Sequence, residues 1–239
     1  MENLKKNLNY WGDIDSSLNS LLSHGYVKLP SLQAFDLDAI ANSIKSEMNG
    51  ETFAELTSSH KVFLDELDFD QFLTPKLYSM AKKIFGYKGK KSNQYHIARL
   101  VEPGNSKEMF RAHFDSHLFT MVLPIKIPKA KNGGTVGDLI YFPHARKCPT
   151  NEIHNFFGKL SHKRYASKKG MQTFSKKHHQ IIDDFKDYSP LLFIGNTTLH
   201  TNKQVSLDCS GSRLTLLAHF FDPSPNYSIG KVLRILRNR

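Results

Sequence analysis

Cysteine is scarce: Cys148 and Cys209 are the only two in 239 residues, too few for a disulfide scaffold or a structural zinc cluster. Long apolar runs are missing as well, and none approaches the roughly 20 residues needed to cross a bilayer. The opening MENLKKNLNYWGDIDSS has basic residues but no apolar stretch of the kind that drives secretion. There is no Gly-rich phosphate loop, no Ser/His/Asp signature, no internal repeat and no low-complexity tract. These shortages exclude a secreted disulfide-rich module, a zinc finger and a membrane-spanning chain. The expected compartment is the cytoplasm.

Acid is also in deficit. Against 33 Lys and Arg stand 22 Asp and Glu, a net charge of +11. The excess is concentrated: residues 143–180 hold nine Lys and Arg against Glu152 alone, and 225–239 hold four against none. Such stretches suit an anionic partner, whether nucleic acid, an anionic membrane surface contacted peripherally, or a small acidic substrate. A solvated insertion with a solubilising tail is the plainer reading.

The remaining composition, 39% hydrophobic and 23% charged, is that of an ordinary globular protein, and the length fits one domain over 1–239. Residues 1–89 read as a helical layer. Asp13 caps a helix with Ile14, Leu18, Leu21 and Leu22 on one face, closing at Gly25. A short strand over Gly25–Pro30 follows, and Asp36 caps a second helix carrying Leu37, Ile40, Ala41, Ile44 and Met48. A third is expected to start at a Thr74 cap with Pro75 first, a stripe of Leu77, Met80, Ala81 and Ile84, and an end at Gly86.

Past Gly89 the period becomes that of strands. Tyr95, Ile97, Arg99 and Val101 alternate; Leu118–Ile127 and Gly137–Phe142 follow, then Leu191–Ile194, Val205–Leu207 and Leu214–Phe221. The segment 143–180 shows no apolar period and reads as a long basic insertion or lid. The tail over 223–239 has helical spacing at Ile229, Val232, Leu233 and Leu236. Helices followed by many strands indicate an α+β fold with a sandwich or barrel core over 90–222.

His113-Phe114-Asp115 places an imidazole and a carboxylate two residues apart, which in a strand puts both on one face. With a second histidine from elsewhere, that is the facial triad of non-haem Fe(II) oxygenases, leaving three positions open. His200 closes the apolar stretch Leu191–Leu199 and can supply it. Thirteen residues on, Arg213 and Thr215 share a face, and a planar guanidinium with a neighbouring hydroxyl suits a carboxylate.

The ordered set His113-x-Asp115, His200, Arg213-x-Thr215 resembles the Fe(II)/2-oxoglutarate-dependent dioxygenases. So do Gly133-Gly134 followed by Gly137-Asp138-Leu139-Ile140-Tyr141-Phe142, and the segment Gly195–Asn202. The resemblance spans most of 90–222 and implies a double-stranded β-helix of the jelly-roll, cupin-like kind. It implies that His113, Asp115 and His200 ligate Fe(II) and are catalytic, and that Arg213 with Thr215 holds the far carboxylate of 2-oxoglutarate. The implied reaction consumes 2-oxoglutarate and O2, hydroxylates a C–H bond, and releases succinate and CO2. Many members place a tyrosine before the turn leading to His-x-Asp; here Val101 occupies that place, and Tyr95 and Thr120 are the substitutes for contact with the cosubstrate.

The substrate expected is small or medium, polar and anionic: a sugar, an amino acid or a lipid-linked glycan. Arg99 and Arg111 flank the approach to His113, and Arg146 opens the basic segment; each could meet an anion or sit in a structural ion pair. A nucleic-acid demethylase of the same fold is an alternative, disfavoured because the second arginine expected six residues after Arg213 is His219 here. A non-catalytic β-barrel binding protein is the other. His219 itself reads as a hydrogen-bonded core histidine, and His178-His179 as solvated.

Overall fold

A computed structural model describes residues 10–55, 59–105, 111–149, 154, 155, 158, 160 and 165–223. The expected tail helix lies outside these from residue 224, as do Lys163 and Arg164 of the basic segment.

Two of the expected helices start where the sequence caps them. Helix α1 (Ile14–His24) begins at Asp13, whose carboxylate accepts from the Ser16 N–H, and ends at Gly25 in the left-handed region. Helix α2 (Leu37–Met48) begins at Asp36, which accepts from Ala39 N–H, and closes at Asn49. Helix α3 (Ser59–Glu66) leads by a turn into α4 (Leu73–Phe85). Here Thr74 is not the cap. The preceding turn runs directly into the helix, with the N–H groups of Leu73 and Thr74 both bonded to Phe69 O. Thr74 is fully buried one residue inside, and no side chain caps Phe72. Ile84 also leaves the stripe: it is exposed, while Leu73, Leu77 and Ala81 face inward.

Six strands form the larger sheet: β1 (Tyr26–Lys28), β2 (Phe53–Glu55), β3 (Gln94–Val101), β4 (Phe119–Lys126), β7 (Leu191–Ile194) and β9 (Arg213–Phe220), in the order β1-β7-β4-β9-β3-β2. The smaller sheet is β6 (Ile181–Asp183), β5 (Leu139–Phe142) and β8 (Leu199–Asn202), in the order β6-β5-β8. All pairings in both are antiparallel.

Strand alternation divides each sheet between two environments. Phe119, Met121, Leu123 and Ile125 of β4 and Leu214, Leu216, Ala218 and Phe220 of β9 join one core with the helices α1, α2 and α4. Trp11 sits in that core and donates from Nε1 to Leu67 O at 2.6 Å. The intervening residues, among them Thr120, Val122, Arg213, Thr215, Leu217 and His219, turn to the opposite face and line a cavity. Val122, Leu191 and Phe193 of the large sheet pack there with Leu139 and Tyr141 of the small one. The two sheets thus meet face to face.

Three strand expectations change. His113 and Asp115 lie outside the named strands, in an extended segment tied by one isolated bridge from His113 to His200. The stretch Leu191–Leu199 is broken by a turn at 195–197, so His200 stands second in β8 instead of closing the earlier strand. Around Val205–Leu207 only a single bridge to Val136 forms, and Leu207 is 84% exposed.

The basic segment does have an apolar face. Helix α5 (Lys168–Ser175) is capped by Ser167 and buries Met171 and Phe174 against Ile140, Phe142 and Leu199. Two apolar residues at i and i+3 are too short a signal to read as a period among lysines. Helix α5 thus lies on the outer face of the small sheet, and of the described residues in 143–180 only Ala166 reaches the cavity.

Candidate metal centre

His113 and His200 face one another because their backbones exchange two hydrogen bonds, each N–H donating to the other's carbonyl at 3.1 Å. Two residues on, Asp115 N–H donates to Gly195 O at 3.1 Å. These bonds span the turn between β7 and β8 and bring both histidines and the carboxylate to one point. Asp115 Oδ1 lies 3.6 Å from His113 Nε2 and 3.7 Å from His200 Nε2. Among the described residues, these three are the cluster of ligand-type side chains close enough to share a metal ion.

Both imidazoles are oriented for that purpose. His113 Nδ1 donates to Arg111 O at 2.7 Å and His200 Nδ1 to Thr198 O at 3.2 Å, since a carbonyl can only accept. Each Nε2 is thereby turned toward Asp115, the arrangement that carbonyl partners of metal-bound histidines enforce. Burial pushes His200 down to about 4, against the opposing pull of Asp115, so the ring is neutral at neutral pH. For Asp115 burial acts upward, but His200, His219, His113 and the Thr120 hydroxyl outweigh it and hold the carboxyl well below the usual carboxylate range. Two imidazoles and one carboxylate are the donor set of a facial-triad iron site, and they fit such an ion.

The cavity above them has a volume of about 560 Å³. Arg213 and Thr215 of β9 line it, and both are buried. Burial pushes the Arg213 guanidinium down to about 10, with nearby Arg99 acting in the same direction. Its Nε has no hydrogen-bond partner, and among the described residues no carboxylate lies within ion-pairing distance. A buried cation in that condition is costly unless an anion joins it. Gly137 makes room for it. Its φ is +84°, and a Cβ there would lie 3.1 Å from both Arg213 Cδ and one terminal guanidinium nitrogen. The chemistry of this pocket fits a carboxylate such as that of 2-oxoglutarate.

The other expected residues divide. Arg99 and Arg111 line the cavity. Thr120 lines it too, but its hydroxyl donates to Asp115 Oδ2 at 2.5 Å. Tyr95 stands outside the lining, stacked at 6.2 Å on His219 and 6.3 Å on His117. Arg146 is likewise outside: its Nε donates to Asn196 O at 2.7 Å, its NH2 to Asn155 Oδ1 at 3.0 Å, and the guanidinium lies over Phe114 at 4.0 Å. These partners make it a brace between loops. His178 and His179 are exposed, as expected, although His178 stacks on Phe174.

Two contributors escape sequence reading. Phe185, fully buried, lies 5.2 Å beneath the Arg213 guanidinium; its Asp183-Asp184-Phe185-Lys186-Asp187 setting looks like a surface loop. Lys203 lines the cavity with its charge met by Asp138 at 3.0 Å.

No protein-family model matches the chain, and no curated protein does. Solved structures do. A prolyl-4-hydroxylase from Pseudomonas putida superposes with a TM-score of 0.53 at 12% identity, covering 88% of this chain and 94% of its own. A prolyl 4-hydroxylase from Phytophthora capsici gives 0.55 at 13% identity, with 94% and 67% covered. The non-haem alpha-ketoglutarate-dependent carbocyclase SnoK from nogalamycin biosynthesis gives 0.51 at 11% identity, with 92% and 89% covered. In fold, this chain resembles the Fe(II)/2-oxoglutarate-dependent dioxygenases and has their double-stranded β-helix core.

Proposed function

We propose that the chain is an Fe(II)- and 2-oxoglutarate-dependent dioxygenase that hydroxylates a C–H bond of a small or medium polar, anionic substrate. One observation carries the reading: two imidazole nitrogens and a carboxylate oxygen converge in the same cavity that holds a buried guanidinium with no carboxylate partner among the described residues.

His113, Asp115 and His200 would hold the iron. When bound, iron with 2-oxoglutarate and O2 supplies the oxidising power for C–H cleavage while the cosubstrate is converted to succinate and CO2. Arg213 offers its planar fork to the far carboxylate of 2-oxoglutarate, and Thr215 adds a hydroxyl from the same strand face. Ile97, Val122, Leu139, Phe193 and Leu217 line the cavity with apolar surface that limits water at the reacting centre. Arg99 and Arg111 add positive charge to the lining, and exposed Lys168 and Lys169 lie two and three residues beyond Ala166 in the chain. Those charges favour an anionic substrate.

Purified protein given Fe(II) and 2-oxoglutarate without oxygen should develop visible charge-transfer absorption, and admitting air should yield succinate. Failure of both would overturn the reading. Candidate sugars, amino acids and phosphorylated carriers can then be ranked by how far each stimulates succinate formation. For an anionic substrate that stimulation should weaken as salt rises, because the Debye length shortens to about 8 Å at physiological ionic strength. Stimulation indifferent to salt and to the Lys168→Ala/Lys169→Ala double variant would remove the steering role.

A further inference from the structure

Only one oxygen of Asp115 faces the two histidines. The other, Oδ2, accepts from the Thr120 hydroxyl at 2.5 Å, and Thr120 Oγ1 lies 3.1 Å from His219 Nδ1. A threonine hydroxyl has a single proton to give. With that proton committed to the carboxylate, the second contact is a hydrogen bond only if His219 Nδ1 carries a proton and donates it to Oγ1. The direction is then fixed along the chain from His219 through Thr120 to Asp115.

The fold builds this arrangement deliberately close. Thr120 and His219 are direct cross-strand partners on β4 and β9, and both are buried, 1% and 8% exposed. Gly195 lets the turn before β8 come close to Thr120 and Asp115: a Cβ there would lie 2.6 Å from Thr120 Oγ1 and 3.1 Å from Asp115 Cβ.

We propose that Thr120 and His219 are positioning residues that hold Asp115 as a one-oxygen metal ligand, an assignment resting on the metal-binding reading of the triad. A carboxylate released from Thr120 can turn both oxygens toward the ion. It would then occupy a coordination position that an oxygenase must leave to its cosubstrate and O2. The role differs from direct contact with 2-oxoglutarate, because the Thr120 proton is already given to Asp115.

Anaerobic titration with Co(II), a spectroscopic stand-in for Fe(II), tests this on the intact chain. Thr120→Val and His219→Leu should each weaken Co(II) binding by about 10–100-fold, the range typical of outer-shell partners, and alter the d–d spectrum of the bound ion. Thr120→Ser and His219→Asn, which restore a hydroxyl and an N–H donor, should return affinity to within about threefold of wild type and recover its spectrum. Because the two residues act in series, the Thr120→Val/His219→Leu double variant should bind no worse than Thr120→Val alone. Wild-type affinity and spectrum in Thr120→Val, or equal loss in Thr120→Ser, would overturn the assignment. Thr120→Val matches the shape of threonine, so it carries the test even should His219→Leu fold poorly. A wild-type chain that takes up no Co(II) or Fe(II) would overturn the metal reading itself, and this assignment with it.

Discussion

Asp115→Asn should lower succinate formation by roughly 10³-fold or more, about 4 kcal/mol of lost stabilisation at about 1.36 kcal/mol per factor of ten. The change is nearly isosteric, so packing survives and the loss is electrostatic. Asp115 is the one anion among three imidazoles. With Thr120 donating from one side, the substituted amide would turn its oxygen to that hydroxyl and its NH2 toward the metal position. Three donors then become two, and the net charge that attracts a divalent cation is gone. Co(II) titration and succinate assays should fall together. Wild-type values for both would remove the carboxylate from the site.

Arg213→Lys should raise KM for 2-oxoglutarate by about 10–100-fold with metal affinity unchanged, as expected for losing one charged, bidentate contact of about 1.5–3 kcal/mol. The substitution retains a positive charge in principle, yet the environment works against it. Burial and the neighbouring Arg99 depress even the guanidinium, and an ammonium in the same place would be depressed further from a lower starting value. The sign of the pH effect follows. The protonated amine is the form that binds a carboxylate, and its share grows as pH falls, so the KM of the variant should improve toward acid while the wild type stays level. Measurement of KM across neutral and mildly alkaline pH, with Fe(II) binding followed separately, checks both parts. Equal cosubstrate affinity in Arg213→Lys, Arg213→Ala and wild type would detach Arg213 from the cosubstrate.

Where local chemistry decides the outcome, the sequence was readable. Asp13 and Asp36 cap helices because a carboxylate three residues before an N–H needs no distant partner. Arg213 and Thr215 share a face because alternation is a property of any strand. The His-x-Asp pair reads as a unit from strand alternation alone, whereas its geometry comes from the bridge to His200, far along the chain. Thr74 looked like a cap because the turn running into α4 leaves no local mark. The hydroxyl contact between Thr120 and His219 leaves no mark in the sequence because the two residues are 99 apart. Arg146 looked available because its acceptors, Asn196 O and Asn155, are set by how loops fold back. Charge is visible in sequence, whereas its neutralisation depends on tertiary contacts.

The reciprocal bonds between His113 and His200 join a segment leading into β4 of the large sheet to β8 of the small one. A metal bound at that junction is therefore also a rivet between the two layers. Binding to the native state alone adds stability by mass action, about 4 kcal/mol when free ion exceeds its Kd a thousandfold. Amide exchange at His113 and His200 should slow on loading more than exchange in α1, which lies on the far side of the large sheet; uniform slowing would mean that the layers were already fastened without it. In a cell short of iron, such a protein would lose turnover and also persistence, because the unriveted layers open more often to proteases.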